Sequence, residues 1–144
     1  ENYWHSKSEE YIISDLMHII FHWFHDYAFP KQGSRYQPLL EKLRGDIYAH
    51  PEYDWTLEMM AERINLSPRS LQKVYKNFAN ISCISEVIES RMIRAKMLLV
   101  RSDFDVGEIS MQCGYRNVEH FCRQFKKHEG CSPSHYRKEH LVQP

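Results

Sequence analysis

LSPRSLQKVYKNFANIS (residues 66–82) and RNVEHFCRQFKKHEGCS (residues 116–132) are two versions of one sentence. Ser67 before Pro68, and Asn117 in the second stretch, are helix-opening residues whose side-chain oxygens can accept from the first free backbone N–H groups. Leu71, Val74, Tyr75 and Phe78 then recur at i, i+3, i+4 and i+7, the spacing of one buried helical stripe. Asn80 and Gly130 close the helices, as residues that tolerate a left-handed backbone. At a constant offset of fifty, Leu71 matches Phe121, Tyr75 matches Phe125, Lys76 matches Lys126, Asn80 matches Gly130 and Ser82 matches Ser132. Upstream of the turn the offset is forty-nine, aligning Met59, Met60 and Ala61 with Glu108, Ile109 and Ser110. The chain therefore carries one unit twice, a short helix, a tight turn and a second helix, with one extra residue in the second turn.

Working outward, five glycines and six prolines in 144 residues leave little room for a β-rich fold with many tight turns, and helical periodicity dominates. Thr56 caps a helix over 57–64 and Asp105 one ending near Cys113. Residues 84–100 form a long helix with Ile84, Val87, Ile88, Ala95, Leu98 and Leu99 inward. Ser132-Pro133 opens a last short helix ending near Leu141. Upstream, Pro38 opens a helix carrying Leu39, Leu40, Leu43 and Ile47 and ending near His50-Pro51, while residues 29–37 read as a linker. Ser8 to Tyr27 forms a further amphipathic helix. The expected fold is all-α: two helix-turn-helix subdomains, about 56–79 and 105–129, joined by a long connecting helix and preceded by an extra N-terminal amphipathic helix. The expected organisation is residues 1–36 as the end of another domain and 37–144 as the domain that carries both units.

Composition is that of a folded chain, 42% hydrophobic and 13% aromatic, which excludes intrinsic disorder as the default. No apolar run is long enough to span a membrane, and no signal peptide is visible. Cys83, Cys113, Cys122 and Cys131 fit no common zinc spacing and read as free thiols in a reducing cytoplasm. The chain opens at Glu1 rather than Met and reads as part of something longer. The formal net charge is zero, but the distribution is uneven. Residues 1–36 carry three Lys/Arg against five Asp/Glu, residues 37–56 two against four, and residues 57–144 fourteen against ten. An acidic front and a basic remainder suggest an anionic partner for the latter.

The second helix of each unit narrows that partner. Arg69, Gln72, Lys73 and Lys76 share one face, which holds no acid. Glu119, Cys122, Arg123 and Lys126 repeat it, with Lys127 adjacent. Arg and Lys donate to guanine O6 and N7 in the major groove, Gln pairs with adenine, and Glu accepts from cytosine. Arg69, Gln72, Lys73, Glu119, Cys122 and Arg123 are therefore the expected base readers. Lys76, Lys126 and Lys127, with the capping residues Ser67 and Asn117, are the expected phosphate contacts. Charged helix faces are more often merely solvated; two matched faces in a repeated unit favour duplex DNA.

Residues from about Leu39 to His140 resemble the C-terminal DNA-binding domain of AraC/XylS-type bacterial transcription regulators. Arg91, Ala95, Leu98 and Leu99 match the family's R-x-x-x-A-x-x-L-L connecting helix. Val106 to Ile109 with Gly114-Tyr115 is similar to its I-x-x-I…G-[FY] signature. Phe121, Phe125-Lys126, Gly130, Ser132-Pro133 and Tyr136-Arg137 match F-x-x-x-F-K…G-x-[ST]-P-x-x-[YF]-R. Ser110 for Ala, Asn80 for Gly, Val87 for an aromatic and Glu119 at a groove-facing position depart from the pattern. The resemblance implies seven helices and two reading helices in successive major-groove segments about 34 Å apart, so that a rigid connector bends the DNA. It further implies a promoter-bound activator touching RNA polymerase, and an effector-binding, often dimerising, domain before residue 37.

No cofactor, nucleophile motif or phosphate-binding Gly-rich loop is present, so catalysis is not expected. His18, His22 and His25, one turn apart beside Asp15 and Asp26, are the only metal-ligand candidate; the polar face of a dimerising helix explains them equally well. Helix 8–27 either packs on a missing domain or a second copy, or folds back onto its own. His120 is expected beside Phe121, and the methionines, including Met97 and Met111, as core filler. Two other functions stay open: a ligand- or metal-sensing module, and a protein–protein adaptor without DNA binding.

Overall fold

The computed structural model describes residues 32–140. Helix 8–27 and the histidines at 18, 22 and 25 lie outside them. The chain divides between residues 37 and 38 into two units, and apart from Gln32 to Gln37 the second holds everything below. Seven helices are described: α1 Gln32–Ala49, α2 Leu57–Arg63, α3 Pro68–Ala79, α4 Cys83–Arg101, α5 Val106–Gln112, α6 Val118–Glu129 and α7 Pro133–His140. No strand occurs among the described residues.

The caps fall where the chemistry places them. The side chains of Thr56, Ser67, Ser82, Asp105 and Asn117 each accept from the backbone N–H three residues on. Asp105 and Glu108 form a reciprocal capping box, which satisfies two otherwise orphaned donors. Asn80 (φ 61°) and Gly130 (φ 81°) end α3 and α6 in the left-handed region. One boundary differs from expectation. Gln32 to Gln37 are helical, and Pro38 sits inside α1 rather than opening it. Proline's fixed φ is itself helical, so it sacrifices one backbone bond without necessarily ending the helix.

The repeat is present at the level of single hydrogen bonds. In the first turn, Leu66 N–H donates to the Ala61 carbonyl across Asn65 (φ 53°); in the second, Tyr115 N–H donates to the Ser110 carbonyl across Gly114 (φ 82°). The extra residue of the second turn is Arg116, between that bond and the Asn117 cap. α2 packs on α3, and α5 on α6; α4 touches α3, α5 and α7. One apolar cluster joins Met92, Ala95 and Leu99 of α4 to Ile109, Cys113, Tyr115, Phe121 and Phe125 of the second unit. Leu40, Leu43, Ile47, Met60, Ala61, Ile64, Leu71 and Tyr75 are buried in the first.

The connecting helix departs from its expected face. Ile84 is exposed, and Ile88 and Leu98 are only partly covered, whereas Cys83, Glu86 and Ser90 are buried. α4 packs on helices from both units, so its covered face shifts around the helix and no single apolar stripe describes it. Met60 and Met92 are core, but Met97 and Met111 are 46% and 66% exposed.

Candidate nucleic-acid interface

α3 and α6 each bury one stripe and expose the other. Leu71, Val74 and Tyr75 are buried on α3, and Phe121 and Phe125 on α6. Arg69, Gln72, Lys73 and Lys76 are exposed, as are Glu119, Arg123, Lys126 and Lys127. None of these eight side chains has an ion-pair or hydrogen-bond partner among the described residues. The arginines of the supporting framework behave differently. Arg44 pairs with Glu86, Arg91 donates to the Pro51 and Tyr53 carbonyls, and Arg137 donates to the Leu99 and Phe104 carbonyls. An unpaired cation on water carries no desolvation debt and is free to neutralise a phosphate.

Three expected contacts are placed less openly. Cys122 is half-buried and packs against the α4–α6 cluster, where burial pushes its thiol up. It follows Phe121 by only 100° of helix, which leaves it at the edge of the exposed face. The Ser67 hydroxyl accepts from Ser70 N–H and donates to the Ser70 hydroxyl, and the Asn117 amide oxygen accepts from His120 N–H at 2.9 Å. Any phosphate contact there belongs to free N–H groups of the helix N-termini more than to these side chains. Glu119 lies in the first turn of α6, where a carboxylate complements the helix dipole without any base. His120 is exposed and meets Tyr115 edge-on, with centroids 5.6 Å apart, rather than packing beside Phe121.

What the periodicity of the sequence does not reveal is how the units are held. Arg91 of α4 donates from Nε to the Pro51 carbonyl at 3.0 Å and from Nη2 to the Tyr53 carbonyl at 2.9 Å. Its guanidinium lies 5.2 Å from the centre of the Tyr115 ring. Gly114 presses on the same segment: a Cβ there would lie 2.9 Å from the carbonyl oxygens of Pro51 and Glu52. Residues 51–53, between α1 and α2, are thus pinned against the turn of the second unit. The available signal was Arg91 itself, a cation on a helix with apolar neighbours.

Residues 60–139 match a family model described as a helix-turn-helix domain. The solved C-terminal domain of AraT, a response regulator from Geobacillus stearothermophilus, is 34% identical, with 74% of this chain and 88% of that one covered and a TM-score of 0.70. This chain belongs to the AraC-type helix-turn-helix family. The AraC-type domain is a DNA-binding helix-turn-helix domain. A similar solved domain, that of the global transcriptional factor AdpA in complex with a target DNA, is 25% identical, with 69% and 90% covered and a TM-score of 0.67. Among curated relatives, the uncharacterized HTH-type transcriptional regulator YdiP of Escherichia coli (strain K12) is 38% identical over 84 residues, 58% of this chain. The chain spans 28% of that protein's length. No helix among the described residues is long and apolar enough to cross a membrane.

Proposed function

We propose that this AraC-type domain reads two successive major-groove segments of a specific promoter-proximal duplex, α3 in one and α6 in the next. Arg69, Gln72 and Lys73 read bases in the first segment. Arg123 reads in the second, with Glu119 and Cys122 at its margins. Lys76, Lys126, Lys127 and the helix N-termini at Ser67 and Asn117 anchor phosphates. The role is binding without catalysis, in the cytoplasm of a bacterium. Activation proceeds by contact with RNA polymerase, and residues 1–36 are the end of an effector-binding or dimerising domain.

The observation that supports this reading best is the pair of cationic faces, unpartnered among the described residues, at matching positions of a repeated unit. A fluorescence-anisotropy titration of a random-sequence duplex at several salt concentrations tests it. Weak binding whose log affinity falls linearly with log salt is expected, with a slope of about −0.9 per phosphate neutralised. No binding at low salt would overturn it in favour of a protein-binding adaptor.

A further inference from the structure

Glu86 is fully buried, yet it carries a carboxylate. Three side chains from two other helices converge on it. Arg44 Nε and the Tyr48 hydroxyl, both on α1, donate to Oε1 at 2.9 and 2.8 Å. The Tyr75 hydroxyl, on α3, donates to Oε2 at 3.2 Å. Glu86 is thus the atom-level junction of α1, the reading helix α3 and the connecting helix α4. Its charge reaches all three neighbours: it holds the Arg44 guanidinium above its ordinary range, and it adds to burial in raising the Tyr48 and Tyr75 hydroxyls.

The second unit shows that this carboxylate is not required to build the core. Fifty residues on, at the same place after the helix-opening serine, stands Tyr136, and opposite it Phe125 takes the place of Tyr75. Those two rings meet edge to face at 5.6 Å. The same fold, in the same chain, fills the site with an apolar pair. Well-packed apolar groups commonly equal or exceed a buried ion pair in stability, and the best-attested return for retaining charge is fixed register. The charge in the first unit is matched by Arg44, whose side chain remains 49% exposed, so α1 carries the cation that this buried acid selects.

We infer that Glu86 is a positioning residue that couples α1 to the reading helix α3, through Arg44 and Tyr48 on one side and Tyr75 on the other. Tyr75 lies one turn beyond Gln72 and next to Lys76 in sequence, so its anchorage sets the rotation of the face that α3 presents. A displacement of α1 then reaches α3 directly through Glu86, whose partners lie on α1 and α3. The first half-site becomes the adjustable one and the second the constant one. The half-site part of this inference rests on the DNA reading above; the coupling between helices does not.

Two measurements on the whole chain separate them. Hydrogen exchange, read without DNA, is compared for α3 and α6 in the wild type, Arg44→Met, Glu86→Gln and the double variant Tyr75→Phe/Glu86→Tyr, which copies the second unit. Arg44→Met is expected to speed exchange in α3 by about tenfold while α6 is unchanged. In the Tyr75→Phe/Glu86→Tyr background, adding Arg44→Met is expected to do nothing further to α3. Equal change in α3 and α6, or none in α3, would overturn the coupling. Glu86→Gln should reproduce the Arg44→Met pattern; if it does not fold, the half-exposed Arg44 variant decides alone. The second measurement scrambles one half-site at a time in a selected duplex. Arg44→Met should shrink the penalty for scrambling the first by about tenfold and leave that for the second intact; equal effects on both would overturn the half-site assignment. If the wild type prefers neither half-site, the DNA reading fails, and hydrogen exchange still decides the coupling.

Discussion

Arg69 and Arg123 stand on the exposed faces of α3 and α6 without a partner among the described residues, so replacing either by Ala removes no contact made within them. Each change should cost about 1–3 kcal/mol at a cognate site and relax preference at a single base pair. Competition anisotropy with single-substituted duplexes checks this; unchanged cognate affinity would show that the reading face lies elsewhere. Ser110 presents the opposite situation. It is fully buried and its hydroxyl has no hydrogen-bond partner among the described residues, while Ala61 fills the matching place in the first unit. Ser110→Ala should raise stability by about 1 kcal/mol in urea unfolding, because a stranded buried hydroxyl keeps its desolvation cost. The exposure of the expected base readers was legible from the sequence as far as helical spacing reaches. Arg69, Gln72, Lys73 and Arg123 are exposed as their positions require, whereas the tuck of Cys122 against the core depends on how α4 packs, which local spacing does not encode.

Element boundaries were the most legible feature, since a cap is local chemistry: Thr56, Ser67, Asp105 and Asn117 announce helices by side-chain oxygens alone. The exception, Pro38 within α1, arose because a proline inside a helix and a proline opening one look alike in sequence. α4 was legible in length but not in facing, because it serves two units at once and buries Glu86 where a periodic reading seeks an aliphatic residue. The turn between α5 and α6 has a demanding element of its own. Gly114 combines a φ of 82° with carbonyl oxygens 2.9 Å from where a Cβ would sit. Gly114→Ala therefore adds backbone strain and a collision with main chain, neither of which a rotamer change relieves. A loss of about 2–3 kcal/mol in denaturant unfolding is expected. Gly130→Ala, where nothing lies within 4 Å, should cost only about 1 kcal/mol.

Across the whole molecule, a chain of charges ties α6 back to α4. Lys96 Nζ and Glu129 lie 3.0 Å apart, and His128 bridges Glu129 and Glu89 at 3.0 and 2.9 Å. Burial alone would raise the Glu129 carboxyl, but Lys96 and His128 hold it below its ordinary range. A carboxylate with a lowered folded pKa contributes stability that is complete above its unfolded value and lost as pH falls through the folded one. Unfolding midpoints should therefore drop with pH below about 4.5, and Glu129→Gln should flatten that dependence; an unaltered acid limb would show that the network contributes nothing. The pinning of residues 51–53 by Arg91 has a wider result. On the proposed reading, two helices held on one frame make the second groove contact an intramolecular event, at an effective concentration of about a millimolar or more. Affinity for the full site then exceeds either half by far more than added contacts explain. Arg91→Ala, which frees the frame without touching a reading residue, should weaken binding to the full duplex while leaving each isolated half-site as weakly bound as before. The domain would discriminate a complete site from a broken one by geometry that never meets a base.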